Sequence, residues 1–193
     1  MFDLLFQHIV KKASLTPNEL EFLKTVFVPK KLRKRQYLLQ EGEVSKYMAF
    51  VNKGCLRAYT IDETGREHIV LFAIEEWWIG DMYSYLSGEP STYNIEALED
   101  SELLLLDRNG QEKILQHIPA FEKFQRIILE NNYIATHRRI NNMMTKTAEE
   151  KYLDFSSRYP QIVQRVPQHM IASYLGITPE TLSRIRKQIA ENK

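Results

Sequence analysis

Glu180 and Arg184 lie four positions apart in the stretch Gly176 to Lys187, "GITPETLSRIRK", which is one turn of a helix and so one face. Their chemistry suits the edges of base pairs: an arginine can donate two hydrogen bonds to guanine O6 and N7, and a glutamate can accept from cytosine N4. Two plainer roles compete. A first-turn carboxylate is favoured by the helix dipole, and an arginine one turn on can pair back to it.

The surroundings have the layout of a helix-turn-helix. Ala172 is small enough for two helices to cross closely, Gly176 permits the positive φ of a tight turn, and Ile177 can plug the space between the helices. Thr178 is placed to cap the second helix and Pro179 to fill its first position, where a missing N–H costs nothing. On a wheel of about 100° per residue, Leu182, Ile185 and Ile189 share one face, and Glu180, Arg184, Lys187 and Gln188 share the opposite one. One face holds the helix; the other is free to contact DNA.

No other set of residues carries comparable chemistry. The chain shows no Ser/His/Asp set and no phosphate-cradling glycine loop, and His68 lacks the second histidine of a His-x-His metal pair. Glu75 and Glu76 fall beyond an apolar strand, and His117, His137 and His169 have no ligand spacing. The single cysteine, Cys55, excludes an internal disulfide and a multi-cysteine zinc or iron–sulfur cluster. A protein that is not an enzyme, with no metal site and no cofactor, is expected.

The 193 residues, 44% hydrophobic and 26% charged, suffice for one medium globular unit or for a sensor with a small partner domain. The start, Met1 to His8, lacks a signal peptide's basic lead and apolar run, and no stretch approaches the roughly 18 apolar residues of a membrane span. A cytoplasmic protein that does not engage membranes is expected. The net charge of +1 is unevenly placed: residues 137–193 hold 10 Lys and Arg against 5 Asp and Glu, while residues 1–136 hold 16 against 20. An acidic polymer would dock at the basic tail.

The elements that must position the tail follow from the pattern upstream. Thr16-Pro17-Asn18-Glu19 reads as a helix start. From about Val26 to Leu106, short apolar runs alternate with turns such as Glu41-Gly42-Glu43 and Asp62-Glu63-Thr64-Gly65, the spacing of a barrel or jelly roll. Pro119 to Met144 contains no glycine and no further proline and has apolar residues at helical spacing, which predicts one long helix. Ile127 and Ile134 lie seven apart, as do Tyr133 and Ile140, so the helix can pack both on its own domain and on a twin helix, or can spend both seams on its own domain. Thr147 and Glu150 form a capping box opening a helix that ends before Pro160; residues 161–165 are expected to be extended.

The order of β-roll, long helix and helix-turn-helix resembles the Crp/Fnr family of bacterial transcription regulators over nearly the whole chain. The resemblance rests on "LLQEGEVSKYMAFVNKGCLRAY", "DETGREHIVLF", "WIGD", "EALEDSELLLLDR" and "IASYLGITPETLSRIRK". It implies an α+β protein: an N-terminal double-stranded β-helix (jelly-roll) of cyclic-nucleotide-binding type over residues 1–118, a long dimerisation helix over 119–144, and a helix-turn-helix domain over 145–193. It further implies a homodimer joined through Ile127, Ile134 and Ile140, bound to a palindromic operator in double-stranded DNA. RNA polymerase and a small effector are further partners of the family type. Carried over by position, Glu180 and Arg184 read bases and Thr181 and Ser183 contact phosphates, with Arg186 and Lys187 adding charge. The family usually has Arg at the position of Pro179, and its β-hairpin wing is expected to be truncated or absent.

A second departure falls in the sensor. Nucleotide binders of the family carry Gly-Glu-Leu-Gly/Ala and then Arg-Ser-Ala, the Glu holding the ribose and the Arg the cyclic phosphate. The matching effector-pocket positions here are Gly80, Asp81, Met82 and Tyr83, then Ser91, Thr92 and Tyr93. Without the arginine, a buried phosphate loses a charge-assisted pair, on the order of several kcal/mol. Cyclic AMP binding is therefore not expected. Tyr83 and Tyr93 are expected to occupy ligand space, within an aromatic region that also holds Trp77, Trp78 and Tyr85. Two alternatives stay open: a ligand-binding or interaction module with vestigial DNA binding, and a regulator that responds to cyclic nucleotides.

Overall fold

The structure, a computed structural model, describes residues 1–191. The chain divides into two compact units: Met1–Ala58 with Phe72–Asn131, and Tyr59–Leu71 with the residues from Asn132 onward.

In the first unit, helices α1 (Asp3–Val10) and α2 (Pro17–Val26) lead in. The second begins where the sequence predicts, with Thr16 and Glu19 in a reciprocal capping box: the Thr16 amide donates to Glu19 Oε2 at 2.6 Å and the Glu19 amide to Thr16 Oγ1 at 3.3 Å. Eight strands follow among the described residues: β1 (Val28–Leu32), β2 (Tyr37–Leu39), β3 (Tyr47–Lys53), β4 (Leu56–Ile61), β5 (Glu67–Ala73), β6 (Trp78–Ile79), β7 (Asn94–Ala97) and β8 (Ser101–Asp107), with the end of β4 and most of β5 assigned to the second unit. They form two four-stranded sheets, ordered β1-β8-β3-β6 and β2-β7-β4-β5, and the short helix α3 (Met82–Ser87) lies between β6 and β7. The non-sequential strand order is that of a roll rather than a meander.

Strand β8 explains its own composition. Leu103 to Leu106 are all buried, as a continuous apolar run must be when both faces of a strand are covered. Leu104 and Leu106 join Leu5, Ile9, Leu23, Phe50, Phe121 and Phe124 in one core cluster, so this strand carries the lead-in helices and the start of the long helix. Strands β1 and β7 do not show in the apolar pattern, for opposite reasons. β1, with Pro29, Lys30 and Lys31, lies at the edge of its sheet beside β8, and an edge strand tolerates proline and charge. β7 has Glu96 in mid-strand, hidden by a buried pair with Arg57.

Helix α4 (Arg108–His117) precedes α5 (Ala120–Thr145), a helix of 26 residues and so about 39 Å long. Its first two turns bury Phe121 and Phe124; further along, Leu129, Tyr133, Ile134, Ile140 and Met144 are exposed. The apolar positions past Asn131 are thus not spent on the helix's own unit.

In the second unit α6 (Ala148–Arg158) starts at the expected capping box, Thr147 with Glu150. Residues 161–165 are helical, not extended: α7 spans Pro160–Arg165. Pro160 stops α6 but also serves as the first residue of the next helix, where its fixed φ fits, and Ile162 and Val166 gain burial from the turn. Helices α8 (Gln168–Leu175) and α9 (Pro179–Glu191) complete the unit over a small core of Phe155, Ile162, Ile171, Ala172, Leu182 and Ile185. The expectation of a truncated or absent wing concerns chain beyond Glu191, outside the described residues. No helix among the described residues is long and apolar enough to cross a membrane.

Candidate functional site

The turn between α8 and α9 is built as its residues demand. Gly176 has φ +67°, and the Ile177 amide reaches back to the Ala172 carbonyl at 3.0 Å, closing α8 in the manner of a Schellman motif. Thr178 Oγ1 then accepts from the Thr181 amide at 3.2 Å, and Pro179 begins α9. Leu182 and Ile185 face inward, leaving Glu180, Ser183, Arg184, Arg186 and Lys187 exposed. Thr181 is half-buried, and its hydroxyl bonds to that of Thr178 at 3.1 Å, so it belongs as much to the cap as to the surface.

Local electrostatics favour an ionised acceptor at the helix start. The Glu180 carboxyl is held below the usual carboxylate range, first by the backbone N–H at the helix start, then by the Thr178 hydroxyl, and further by the charge of Arg66. Arg184 makes no ion pair or hydrogen bond with another described residue, so it is not consumed by Glu180. Lys187 lies 3.8 Å from Glu191, a loose exposed pair that costs little to open.

The sensor positions are arranged differently from a nucleotide cradle. Asp81 is buried and caps α3, one carboxylate oxygen accepting from the Ser84 amide at 3.2 Å and the other from the Ser91 hydroxyl at 2.7 Å. The two positions that would hold ribose and phosphate therefore hold each other. Tyr83 is not inside: it is 65% exposed and donates to Glu89 Oε2 at 2.7 Å, so it occupies no ligand space. Thr92 is exposed, while Met82 and Tyr93 are half-buried. An Asp three residues before Ser84 is a legible helix-start signal, though nothing local points to its bond with Ser91.

A cavity of about 490 Å³ does open beside this site, lined by Leu38, Leu39, Val44, Tyr47 and Ile95 with Glu43, Ser45 and Lys46, and by Gly80. A Cβ at Gly80 would stand 2.6 Å from Met48 Sδ, the end of a flexible side chain, and 3.1 Å from the Tyr47 carbonyl oxygen. None of Trp77, Trp78, Tyr83, Tyr85 or Tyr93 lines this cavity. Trp78 instead packs on Phe27, Phe50 and Phe124, and the Tyr85 hydroxyl donates to Gln111 at 2.8 Å, so two of these aromatics build the fold.

Comparison with known proteins decides the kinship. Residues 29–117 match the cyclic nucleotide-binding domain. The regulatory protein HlyX of Actinobacillus pleuropneumoniae is 26% identical over 185 residues, an alignment covering 89% of this chain and 76% of that protein. The chain is similar to regulators of the Crp/Fnr type over most of its length. The fumarate and nitrate reduction regulatory protein of Vibrio cholerae is 24% identical over 184 residues, covering 89% of this chain and 73% of that one. The structure of FixK2 from Bradyrhizobium japonicum superposes with a TM-score of 0.71 at 21% identity, over 86% of each chain, so the fold is shared.

Proposed function

We propose that this protein is a cytoplasmic, homodimeric, sequence-specific DNA-binding transcription regulator of the Crp/Fnr type, with no catalytic role of its own. The carrying observation is α9: an intact cap and turn, two inward anchors, and an exposed face bearing an ionised Glu180 beside an uncommitted Arg184. Residues 1–118 serve as sensor, 119–144 as the dimerisation helix through Ile127, Ile134 and Ile140, and 145–193 as the DNA-binding domain. Ser183, Arg186 and Lys187, with the helix start at Thr181, supply phosphate contacts on a palindromic operator. RNA polymerase is the partner through which such binding would act on transcription.

Arg184→Ala is expected to weaken binding to an operator selected from random DNA by about 1–3 kcal/mol, roughly five- to 150-fold, and to relax preference at one base position. Fluorescence anisotropy with the selected site and single-base variants measures both, and wild-type affinity in the variant would remove Arg184 as a reader.

Cyclic AMP is not the effector in this reading. A phosphate entering near Ser91 finds a hydroxyl already donated to Asp81, and a ribose hydroxyl must displace bonds that Asp81 makes within the fold. Calorimetric titration of cyclic AMP into the purified protein is expected to give no saturable heat at micromolar ligand; micromolar affinity would refute this. The cavity beneath Gly80 is the place for another small effector.

A further inference from the structure

Strand β5 is fastened to the helix-turn-helix by two side chains distant in sequence, all inside the second unit. Ser173 on α8 accepts at Oγ from the Ile69 amide at 3.0 Å and donates to the Glu67 carbonyl at 3.3 Å, standing in for a neighbouring strand. Arg139 on α5 donates to the Ile69 carbonyl at 3.0 Å, to the Val70 carbonyl, and to the Tyr174 carbonyl at 3.3 Å. Its guanidinium also lies 4.1 Å from the centroid of the Tyr174 ring. A serine and an arginine thus clip the β4–β5 hairpin to the first helix of the DNA-binding motif.

The hairpin brings charge of the wrong sign for DNA. Its tip carries Asp62, Glu63 and Glu67 against Arg66, three acidic residues to one basic. The turn is ordered: Asp62 Oδ1 accepts from the Thr64 amide at 2.9 Å, the Thr64 hydroxyl at 2.6 Å and the Arg66 amide at 3.0 Å, and Oδ2 lies 2.7 Å from His68 Nε2. Arg66 acts on Glu180, since its charge helps hold that carboxyl ionised. While the clip is closed, a reading residue is partly compensated by Arg66, on a hairpin whose net charge is the same sign as phosphate.

We propose that Ser173 and Arg139 form a clasp that holds the β4–β5 hairpin on the helix-turn-helix and lowers its affinity for DNA until the clasp opens. This rests on the DNA-binding reading above. Ser173 and Arg139 are positioning residues, acting through the hairpin rather than on a base.

The test uses the full-length protein, a fluorescein-labelled operator selected from random DNA, and amide exchange at Ile69 followed by NMR. Ser173→Ala is expected to bind the operator about fivefold more tightly at fixed salt, because two modest hydrogen bonds no longer favour the closed state. In wild-type protein, DNA is expected to speed exchange of the Ile69 amide, which a merely structural contact would not show. Glu63→Gln, which leaves the clasp intact, is expected to bind more tightly with unchanged Ile69 protection in the free protein. Unchanged or weaker binding by Ser173→Ala, or Ile69 protection that is equal or greater on DNA, overturns the clasp. The exchange measurement on wild type stands even if Ser173→Ala fails to fold. If wild type and variants all fail to bind any DNA at low salt, the DNA-binding reading itself falls and takes the clasp with it.

Discussion

The double replacement Ile134→Glu with Ile140→Glu is expected to yield a folded monomer whose operator affinity is lower by about 10²- to 10⁴-fold, the gain that linking two binding modules typically supplies. The start of α5 earns its stability inside the first unit through Phe121 and Phe124, which these changes leave alone. Ile134 and Ile140, at 51% and 54% exposure, have no such role, and burying each against a twin helix is worth about 1.5–3 kcal/mol. Four carboxylates in that seam would have to be desolvated without partners, which is prohibitive. Two half-site readers on separate monomers then bind independently. Sedimentation velocity gives the oligomeric state and anisotropy the affinity; a variant that remains dimeric with unchanged operator binding would place the dimer seam elsewhere.

Glu96→Ala should be the most damaging single change in the sensor. Arg57 Nε and Nη2 both donate to Glu96 Oε2, at 3.0 and 2.7 Å, and the two residues are only 6% and 8% exposed. Removing the carboxylate leaves a guanidinium buried without its counter-charge, a loss of about 3–5 kcal/mol. For a chain of this size that lowers Tm by on the order of 10 °C. Glu96→Gln keeps an acceptor oxygen but not the charge, and should lose less. Replacing both partners, Arg57→Met with Glu96→Leu, should cost less than Glu96→Ala by itself, because no charge is stranded. Calorimetric melting of the three variants decides the matter: a Glu96→Ala protein melting within about 2 °C of wild type would show that the pair does not hold the sheet.

What the residues disclosed in advance was local. Capping boxes at Thr16 and Thr147, the cap at Thr178 and the glycine closing α8 depend on bonds spanning three to five residues, so the chain order alone carries them. The long helix and the apolar strands follow from periodicity, and the two faces of α9 from the same geometry. Pro160 misled because proline ends one helix and can equally begin another, and only the burial of Ile162 and Val166 distinguishes the outcomes. Tyr83 misled because an aromatic residue at a pocket position was read as filling the pocket, whereas a hydrogen bond to Glu89 turns it to solvent.

Composition and order by themselves determined the class of protein: a β-roll, a long helix and a basic helix-turn-helix, with the nucleotide-pairing arginine replaced by Ser91. Only the tertiary structure decided what the replaced residues do. Asp81 meets Ser91 across 10 positions, Arg57 meets Glu96 across 39, and Arg139 meets Ile69 across 70. Such pairs leave no periodic trace, since each partner alone reads as an ordinary polar residue on a strand or helix. Their meaning arises when burial removes water and makes each group depend on the partners the fold brings to it.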